Sequence, residues 1–350
     1  MEQKETMKAL VLHGVGDLRY EDVEKHAPKA GEVLLQVKAC GICSSDIPRI
    51  YTTGTYHFPT IPGHEFAGQI VALGEGVDEA LLGRRAAVFP LLPCRNCEPC
   101  AQEAYAQCKS YSYFGSRCDG GFAEYLAVPV WNLVLCDDSL DYKVAALCEP
   151  SAVSIHALKI SELKQGQSVV VVGAGTIAFL IAAFAKNQGA SKVIICGRSK
   201  EKLDFAKKLG YGTVNTQDGN VEAQVKALLG GDCADVVFEC VGKSSTVENS
   251  IEACKAFGTI VLVGNPEGDM TLEKNIYWKV LRQQICIKGT WNSSYNSTVN
   301  DWQAALAYMA EDANFFAELV TQTYPMSEYQ AAMDTVRDRN QFSLKVMFEM

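Results

Sequence analysis

No apolar run in this chain approaches the roughly 20 residues that cross a bilayer, so no membrane-spanning segment is expected. Basic residues are in the minority, 32 Lys and Arg against 41 Asp and Glu, for a net charge of -9. No basic stripe interrupts that balance, which argues against nucleic acid as a partner. It does not exclude an anionic substrate, because the local charge of a pocket decides that. Internal repeats and low-complexity tracts are also lacking. The opening residues MEQKETMKALVLHG carry Glu2 and Glu5 and no long apolar stretch. An export signal is therefore not expected, and the cytoplasm is the expected compartment. Cysteine is not scarce. In a chain of this length without an export signal, the 14 thiols are expected to be reduced or metal-bound rather than a disulfide framework.

The 350 residues, 48% of them hydrophobic, suit about two domains with large cores. The first third reads as β-rich. Ala9–His13, Glu32–Cys40 and Phe66–Leu73 are short apolar runs bounded by turns, and Gly121–Val128 alternates like a strand with one buried face. A barrel-like β domain is expected there. From about Lys164 the texture changes. Ser168–Gly173 is a continuously apolar strand, as when both faces are covered. A helix over Ile177–Gln188, a strand over Lys192–Cys196 and a helix over Lys200–Leu209 follow. Strands over Ala234–Glu239, Gly258–Val263 and Gln284–Gly289 complete an α/β pattern expected to build a doubly wound parallel sheet. Trp302–Met309 reads as a helix and Phe342–Glu349 as a closing strand that returns to the first domain.

Three motifs carry chemistry. Cys94, Cys97, Cys100 and Cys108 form a C-x2-C-x2-C-x7-C run, whose spacing brings four thiolates within reach of one tetrahedral ion; zinc favours such closed structural shells. Gly173-Ala-Gly175-Thr176-Ile177-Ala178 follows a strand and opens a helix. Gly173 suits the tight turn, and Gly175 the approach of a pyrophosphate to the free N–H groups of the helix start. At the tip of the next strand, where NAD sites usually place an acid for the ribose hydroxyls, stand Gly197, Arg198 and Ser199. Arg198 suits a fork to a phosphate and Ser199 a hydrogen bond, so NADP is expected over NAD; the plainer reading makes Ser199 a helix N-cap. The third cluster is Gly41-Ile-Cys43-Ser-Ser45-Asp46 with Gly63-His64-Glu65. A thiolate, an imidazole and a carboxylate can hold zinc and leave one position open. Taken singly, Cys43 reads as a buried small residue and His64 as a satisfied core histidine.

The stretches CGICSSD, IPGHEFAG, the cysteine lobe, DGGFAEY, CEPSAVSIHA and VVVVGAGTIA occur in one order. In this the chain resembles the zinc-containing medium-chain dehydrogenase/reductase family across essentially its whole length. It is most similar to the polyol branch, with its sorbitol, threonine and galactitol-1-phosphate dehydrogenases, and CSSDIPRIYTTGTYHFPTIPGHEF, VFPLLPCRNCEPC and FGSRCDGGFAEY look most like the last. The resemblance implies a GroES-like catalytic domain over 1–155 and 292–350, with a structural zinc lobe near 93–110. It implies a Rossmann domain over 156–291, two zinc ions per chain and a homodimer or homotetramer. It implies Cys43, His64 and Glu149 as catalytic zinc ligands, with Glu65 a ligand in one coordination state or a holder of the zinc-bound water. It gives Ser45 the relay of the substrate proton and Asp46 a supporting carboxylate. The reaction implied is hydride transfer between a polyol or polyol-phosphate secondary alcohol and NAD(P). For a phosphate, Arg49 and Arg117 are the candidate contacts, with Asn292, Ser293 and Ser294 able to add hydrogen bonds. A different alcohol, such as threonine or a pentitol phosphate, is the alternative substrate class. A non-catalytic NADP-binding protein is the alternative of another class, and the presence of Cys43, His64 and Glu149 disfavours it.

Overall fold

Strand β1 (Thr6–Gly14) buries Met7, Ala9, Leu10, Val11 and Leu12 and pairs antiparallel with β2 (Asp17–Glu24), which its more polar sequence leaves largely outside the core. The computed structural model describes residues 5–338 and 340–350; Glu2, on which the expectation about export partly rested, lies outside the described residues. The chain divides into two compact units, Met1–Ala152 with Ser294–Met350, and Val153–Ser293.

In the first unit β3 (Glu32–Gly41) is the central strand. The short helix α1 (Asp46–Tyr51) follows it, then β4 (Glu65–Leu73), β5 (Arg85–Val88) and β6 (Leu91–Leu92). Helix α2 (Glu98–Ala101) lies inside the cysteine lobe, and β7 (Ser112–Tyr113), β8 (Tyr125–Pro129), β9 (Leu133–Leu135) and α3 (Tyr142–Ala146) come next. Helix α4 (Cys148–Ser161) carries the chain across the division between the units. The strand expected over Gly121–Val128 is regular only from Tyr125. Its first half shares its backbone bonds between two partners: Leu10 N–H donates to Phe122 O at 2.9 Å, Glu124 N–H to Lys8 O at 3.0 Å and Val37 N–H to Glu124 O at 2.9 Å. A segment divided between β1 and β3 cannot lie in one flat ladder.

The second unit alternates strand and helix. It runs β10 (Ser168–Val172), α5 (Thr176–Asn187), β11 (Lys192–Gly197), α6 (Lys200–Lys208), β12 (Gly212–Asn215) and α7 (Val221–Leu229). It continues with β13 (Ala234–Glu239), α8 (Ser244–Ala253), β14 (Cys254–Leu262), α9 (Lys274–Gln283) and β15 (Cys286–Gly289). All six strands are parallel, in the order β12-β11-β10-β13-β14-β15. The order reverses between β10 and β13, which opens a crevice at their carboxyl ends. The four valines of β10 are fully buried, as the unbroken apolar run required.

The chain then re-enters the first unit through α10 (Asp301–Glu311), α11 (Ala313–Leu319), β16 (Val320–Pro325), α12 (Tyr329–Arg337) and β17 (Lys345–Glu349). Strand β17 lies between β16 and β3, in a sheet ordered β16-β17-β3-β4-β5-β9 with β8 also paired to β3. No helix among the described residues is long and apolar enough to cross a membrane.

Candidate active site and metal centres

The four lobe cysteines sit on a tight loop wound around α2, with backbone bonds of its own such as Ala101 N–H to Cys97 O at 3.0 Å and Cys108 N–H to Tyr105 O at 3.1 Å. Among their sulfurs, Cys97–Cys100 is 3.5 Å, Cys97–Cys108 3.8 Å and Cys94–Cys100 4.0 Å. A disulfide would be about 2.05 Å, whereas a tetrahedron of 2.3 Å zinc–sulfur bonds has edges of about 3.8 Å. Backbone N–H groups of Cys94 and Ser110 donate to Cys108 Sγ at 3.3 and 3.5 Å, the bonding of a thiolate. Backbone donors from Lys109 and Cys100 bring the Cys97 thiol down to about 6, while burial, with the neighbouring sulfurs, pushes Cys100 up to about 12. The residues present fit a closed four-sulfur metal shell. Arg95 stacks 4.3 Å over the Trp131 ring, and Glu103 accepts hydrogen bonds from Ser297, so the lobe is tied to the rest of its unit.

The second cluster forms where β3 ends and β4 begins. Gly63, at φ +92, takes the left-handed turn that delivers His64, and a Cβ there would run into the Phe122 ring. At Gly41 a Cβ would strike the Glu65 carboxylate. Donor atoms of Cys43, His64 and Glu65 all lie within 4.8 Å of one another. Beneath them Asp46, fully buried, accepts the Cys43 N–H at 2.9 Å and lies 3.3 Å from His64 Nδ1 and from Arg49 Nη1. Burial alone would raise the Asp46 pKa, but the His64 and Arg49 charges outweigh it and lower it. Burial likewise opposes a charge on His64, and the Asp46 carboxylate wins, raising the imidazole well above its ordinary value. The Asp46 carboxylate faces His64 Nδ1 as a charge contact, without a formed hydrogen bond among the described residues. A half-buried thiol converging with a buried imidazole and a buried carboxylate fits a divalent metal with an open position.

Glu149, at the start of α4, is buried but is not one of that trio. Its Oε1 accepts the Tyr113 hydroxyl at 3.2 Å, and burial, with the Glu65 charge, pushes its pKa up to about 7 against the opposing pull of His64. Tyr113 was not singled out from sequence; its ring lies 5.8 Å from His64. Lys345 was missed as well. Its buried ammonium bonds Glu65 Oε2 at 2.5 Å, and the Glu65 charge raises its pKa despite burial. A lone lysine in the apolar run Leu344–Phe348 was the available signal.

Ser45 and Arg49 are brought together: Arg49 Nη1 donates to Ser45 Oγ at 2.9 Å. Its other guanidinium nitrogens have no hydrogen-bond partner among the described residues. Arg117 is placed differently. Its guanidinium stacks between the rings of Tyr56 and Tyr111, at 4.1 and 4.4 Å, and donates to Tyr56 Oη and Tyr111 O. Ser293 is buried and bonds Asn292 Oδ1 at 3.1 Å, while the Ser294 N–H donates to Asp301.

In the second unit Gly173, at φ +123, lets its N–H reach Cys196 O at 2.8 Å. Gly175 ends the turn with nothing within 4 Å of where a Cβ would be, and Thr176 and Ile177 open α5. Gly197 is buried and Arg198 exposed. Ser199 caps α6, its Oγ accepting the Lys202 N–H at 3.3 Å and donating to Glu201 at 2.9 Å.

A dinucleotide turn on a doubly wound sheet, carried in one chain with a sulfur–imidazole–carboxylate centre on a β unit, defines a nucleotide-dependent metallo-oxidoreductase. The chain belongs to the zinc-binding alcohol dehydrogenase family. Residues 29–138 match the model for the alcohol dehydrogenase GroES-like domain, and 160–311 that for zinc-binding dehydrogenase. The chain is 32% identical to galactitol 1-phosphate 5-dehydrogenase of Escherichia coli (strain K12), over 95% of this chain and 97% of that protein. To sorbitol dehydrogenase of Bacillus subtilis (strain 168) it is 29% identical over 98% and 97%. Among solved structures, galactitol-1-phosphate dehydrogenase from Escherichia coli superposes with a TM-score of 0.91 at 31% identity, covering 98% of this chain and all of that one. A zinc-binding dehydrogenase from Sinorhizobium meliloti 1021 bound to NADP also gives 0.91, at 28% identity, covering 99% and 100%.

Proposed function

We infer that the chain oxidises a secondary alcohol of a polyol phosphate of the galactitol 1-phosphate type to the ketose phosphate, with NADP as the hydride acceptor, and runs the same chemistry in reverse. In the forward direction the alcohol loses a hydride and a proton, giving ketone, NADPH and H⁺. When bound, zinc at Cys43 and His64, completed by Glu149 or Glu65, would supply a Lewis acid for the substrate oxygen, and a second zinc in the cysteine lobe would hold the fold. The observation that carries the reading is the Cys43–His64–Glu65 cluster with Ser45 and Arg49 beside it.

The chain's own residues have distinct parts. Ser45 takes the proton of the substrate hydroxyl. Arg49 donates to Ser45 Oγ and, as a guanidinium, never accepts a proton. It therefore orients the serine, and the proton leaves toward solvent rather than through the arginine. The unbonded edge of Arg49 supports binding of an anionic group, whereas Arg117, with both faces stacked and two donors engaged, supports a wall more than a phosphate clamp. Gly173, Gly175, Thr176 and Ile177 cradle the dinucleotide pyrophosphate, and Arg198 meets the adenosine 2′-phosphate. The family relationship supports a small-molecule polyol as partner and a homo-oligomeric, cytoplasmic enzyme.

The test compares kcat/KM for galactitol 1-phosphate and galactitol in zinc-replete enzyme, with metal analysis of the same sample. The phosphate ester should be preferred, and Arg49→Ala should cut its kcat/KM about tenfold to hundredfold, the worth of one charge-assisted contact, with a smaller effect on galactitol. Equal turnover of the two would leave a free-polyol dehydrogenase, the reading the sorbitol dehydrogenase relative favours. One metal per chain or none would count against the two-zinc arrangement.

A further inference from the structure

Strand β13 buries Val236, Val237 and Phe238 and then ends on an acid, Glu239, which is itself 1% exposed. No cation pairs with it among the described residues; Lys243, the lysine next along the chain, pairs with Glu267 at 2.9 Å. Its carboxylate is met instead by donors from the residues that follow. Oε1 accepts the Val241 and Gly242 N–H groups at 2.9 Å and the Thr246 hydroxyl at 2.7 Å, and Oε2 shares the Gly242 N–H at 3.1 Å. The Glu239 carbonyl accepts the Val263 and Gly264 N–H groups at 2.8 and 3.0 Å, just past β14. One residue thus ties together its own loop, the first turn of α8 and the exit of β14. A buried carboxylate is costly unless donors satisfy it, and ending a strand requires no such group.

The loop that Glu239 restrains stands beside the dinucleotide turn. Cys240 N–H donates to Val172 O at 2.9 Å, and a Cβ on Gly173 would lie 3.1 Å from Val241 Cγ2 and 3.3 Å from Cys240 Cβ. The strand order puts β11, with Arg198 at its tip, on one side of β10 and β13 on the other. A dinucleotide crosses such a sheet at the point where the order reverses, with its adenosine ribose at the strand after the glycine turn. The nicotinamide half then lies toward β13. We propose that Glu239 is a positioning residue for that half: it holds Val241 and Gly242 so that the β13 wall keeps its spacing from Gly173. The proposal rests on the reading of this crevice as the dinucleotide site.

The test titrates the zinc-replete enzyme with NADPH and with 2′,5′-ADP, which carries only the adenosine half and its two phosphates. Glu239→Leu takes the acceptor from the Val241 and Gly242 N–H groups, and groups so orphaned must turn toward water. Kd for NADPH should rise about tenfold or more, the scale of one buried group left unpaired, while Kd for 2′,5′-ADP stays at the parent's value. KM for NADPH should rise with it, and kcat should change less. Glu239→Gln, whose amide oxygen still accepts from the loop, should bring NADPH binding back toward the parent. Should Glu239→Leu fail to fold, Thr246→Val carries the test: the loss of one donor to Oε1 should weaken NADPH by a smaller factor and again spare 2′,5′-ADP. A folded variant that binds NADPH as the parent does, or that loses both ligands in equal proportion, would overturn the proposal and leave Glu239 a structural residue of the sheet. A parent that binds neither ligand would overturn the dinucleotide reading and this proposal together.

Discussion

Arg198 stands exposed at the end of β11, with no hydrogen-bond or ionic partner among the described residues, beside a glycine that has little freedom to be anything else. A Cβ on Gly197 would sit 3.0 Å from Ala174 Cβ and 3.4 Å from Leu203, so an acidic side chain at that position would press on the dinucleotide turn itself. Ser199, by contrast, has its hydroxyl committed to capping α6, so the phosphate selectivity expected of this turn falls on the arginine. Arg198→Ala should therefore lower kcat/KM with NADPH by about tenfold to hundredfold, or 1.5–3 kcal/mol, and leave the NADH value nearly in place; steady-state assays with both cofactors check it, and a parent enzyme that prefers NADH would sink it. At this scale, what could be read from sequence was what is local. The lobe cysteines span 15 positions, and their spacing alone groups them. Tyr113 beside Glu149 and Lys345 beside Glu65 are pairings over 36 and 280 residues, and no periodicity or motif announces a contact made by folding.

At the scale of elements, β10, β13 and α10, with a strong periodic or continuous apolar pattern, were legible to within a residue or two, whereas β14, expected from Gly258, begins at Cys254 and β17, expected from Phe342, begins at Lys345. β2, β12 and β16, which are short or carry mixed polar residues, gave no such pattern, because their partners rather than their own side chains hold them. The helices α7 and α9 went unmarked too, and the link between them is ionic. Glu222 on α7 bonds Lys226 at 2.7 Å and, through its other oxygen, Lys279 on α9 at 2.8 Å; Lys279 also donates to Glu252 O at 3.0 Å. Burial alone would raise the Glu222 pKa, but the two ammonium groups outweigh it and lower it below the ordinary 4.5. A carboxyl whose folded pKa is depressed adds stability above its unfolded pKa and loses that contribution as pH falls through the folded value. Glu222→Gln should thus cost about 1–2 kcal/mol at pH 7, between the values for exposed and buried pairs. The cost should shrink steadily below 4.5. Denaturant unfolding of parent and variant at neutral and acid pH measures this, and a difference that stays constant down to strong acid would assign Glu222 a packing role instead.

The whole molecule sets a constraint that neither residue nor element shows alone. The six-stranded parallel sheet of the second unit ends on β15, whose outer edge has no strand beside it among the described residues. Parallel sheets are normally covered on both faces, and an uncovered edge strand is a template for another chain. Here the edge is also apolar. Ile287 is 40% exposed, and on α9, just before it in the chain, Tyr277, Trp278 and Leu281 are 56%, 51% and 52% exposed at helical spacing. Such a face on a protein otherwise rich in surface charge suits burial against a second copy, since an edge strand related to its twin by a two-fold axis pairs antiparallel with it and brings the same apolar helix from both sides. The purified enzyme should then run in light scattering at twice the chain mass or a larger even multiple. Trp278→Glu combined with Ile287→Lys should shift it toward the single chain while the spectroscopic signature of bound zinc-site cobalt is retained. A parent that stays monomeric at micromolar concentration would show that the edge is tolerated bare, and its exposed tryptophan would then need another partner.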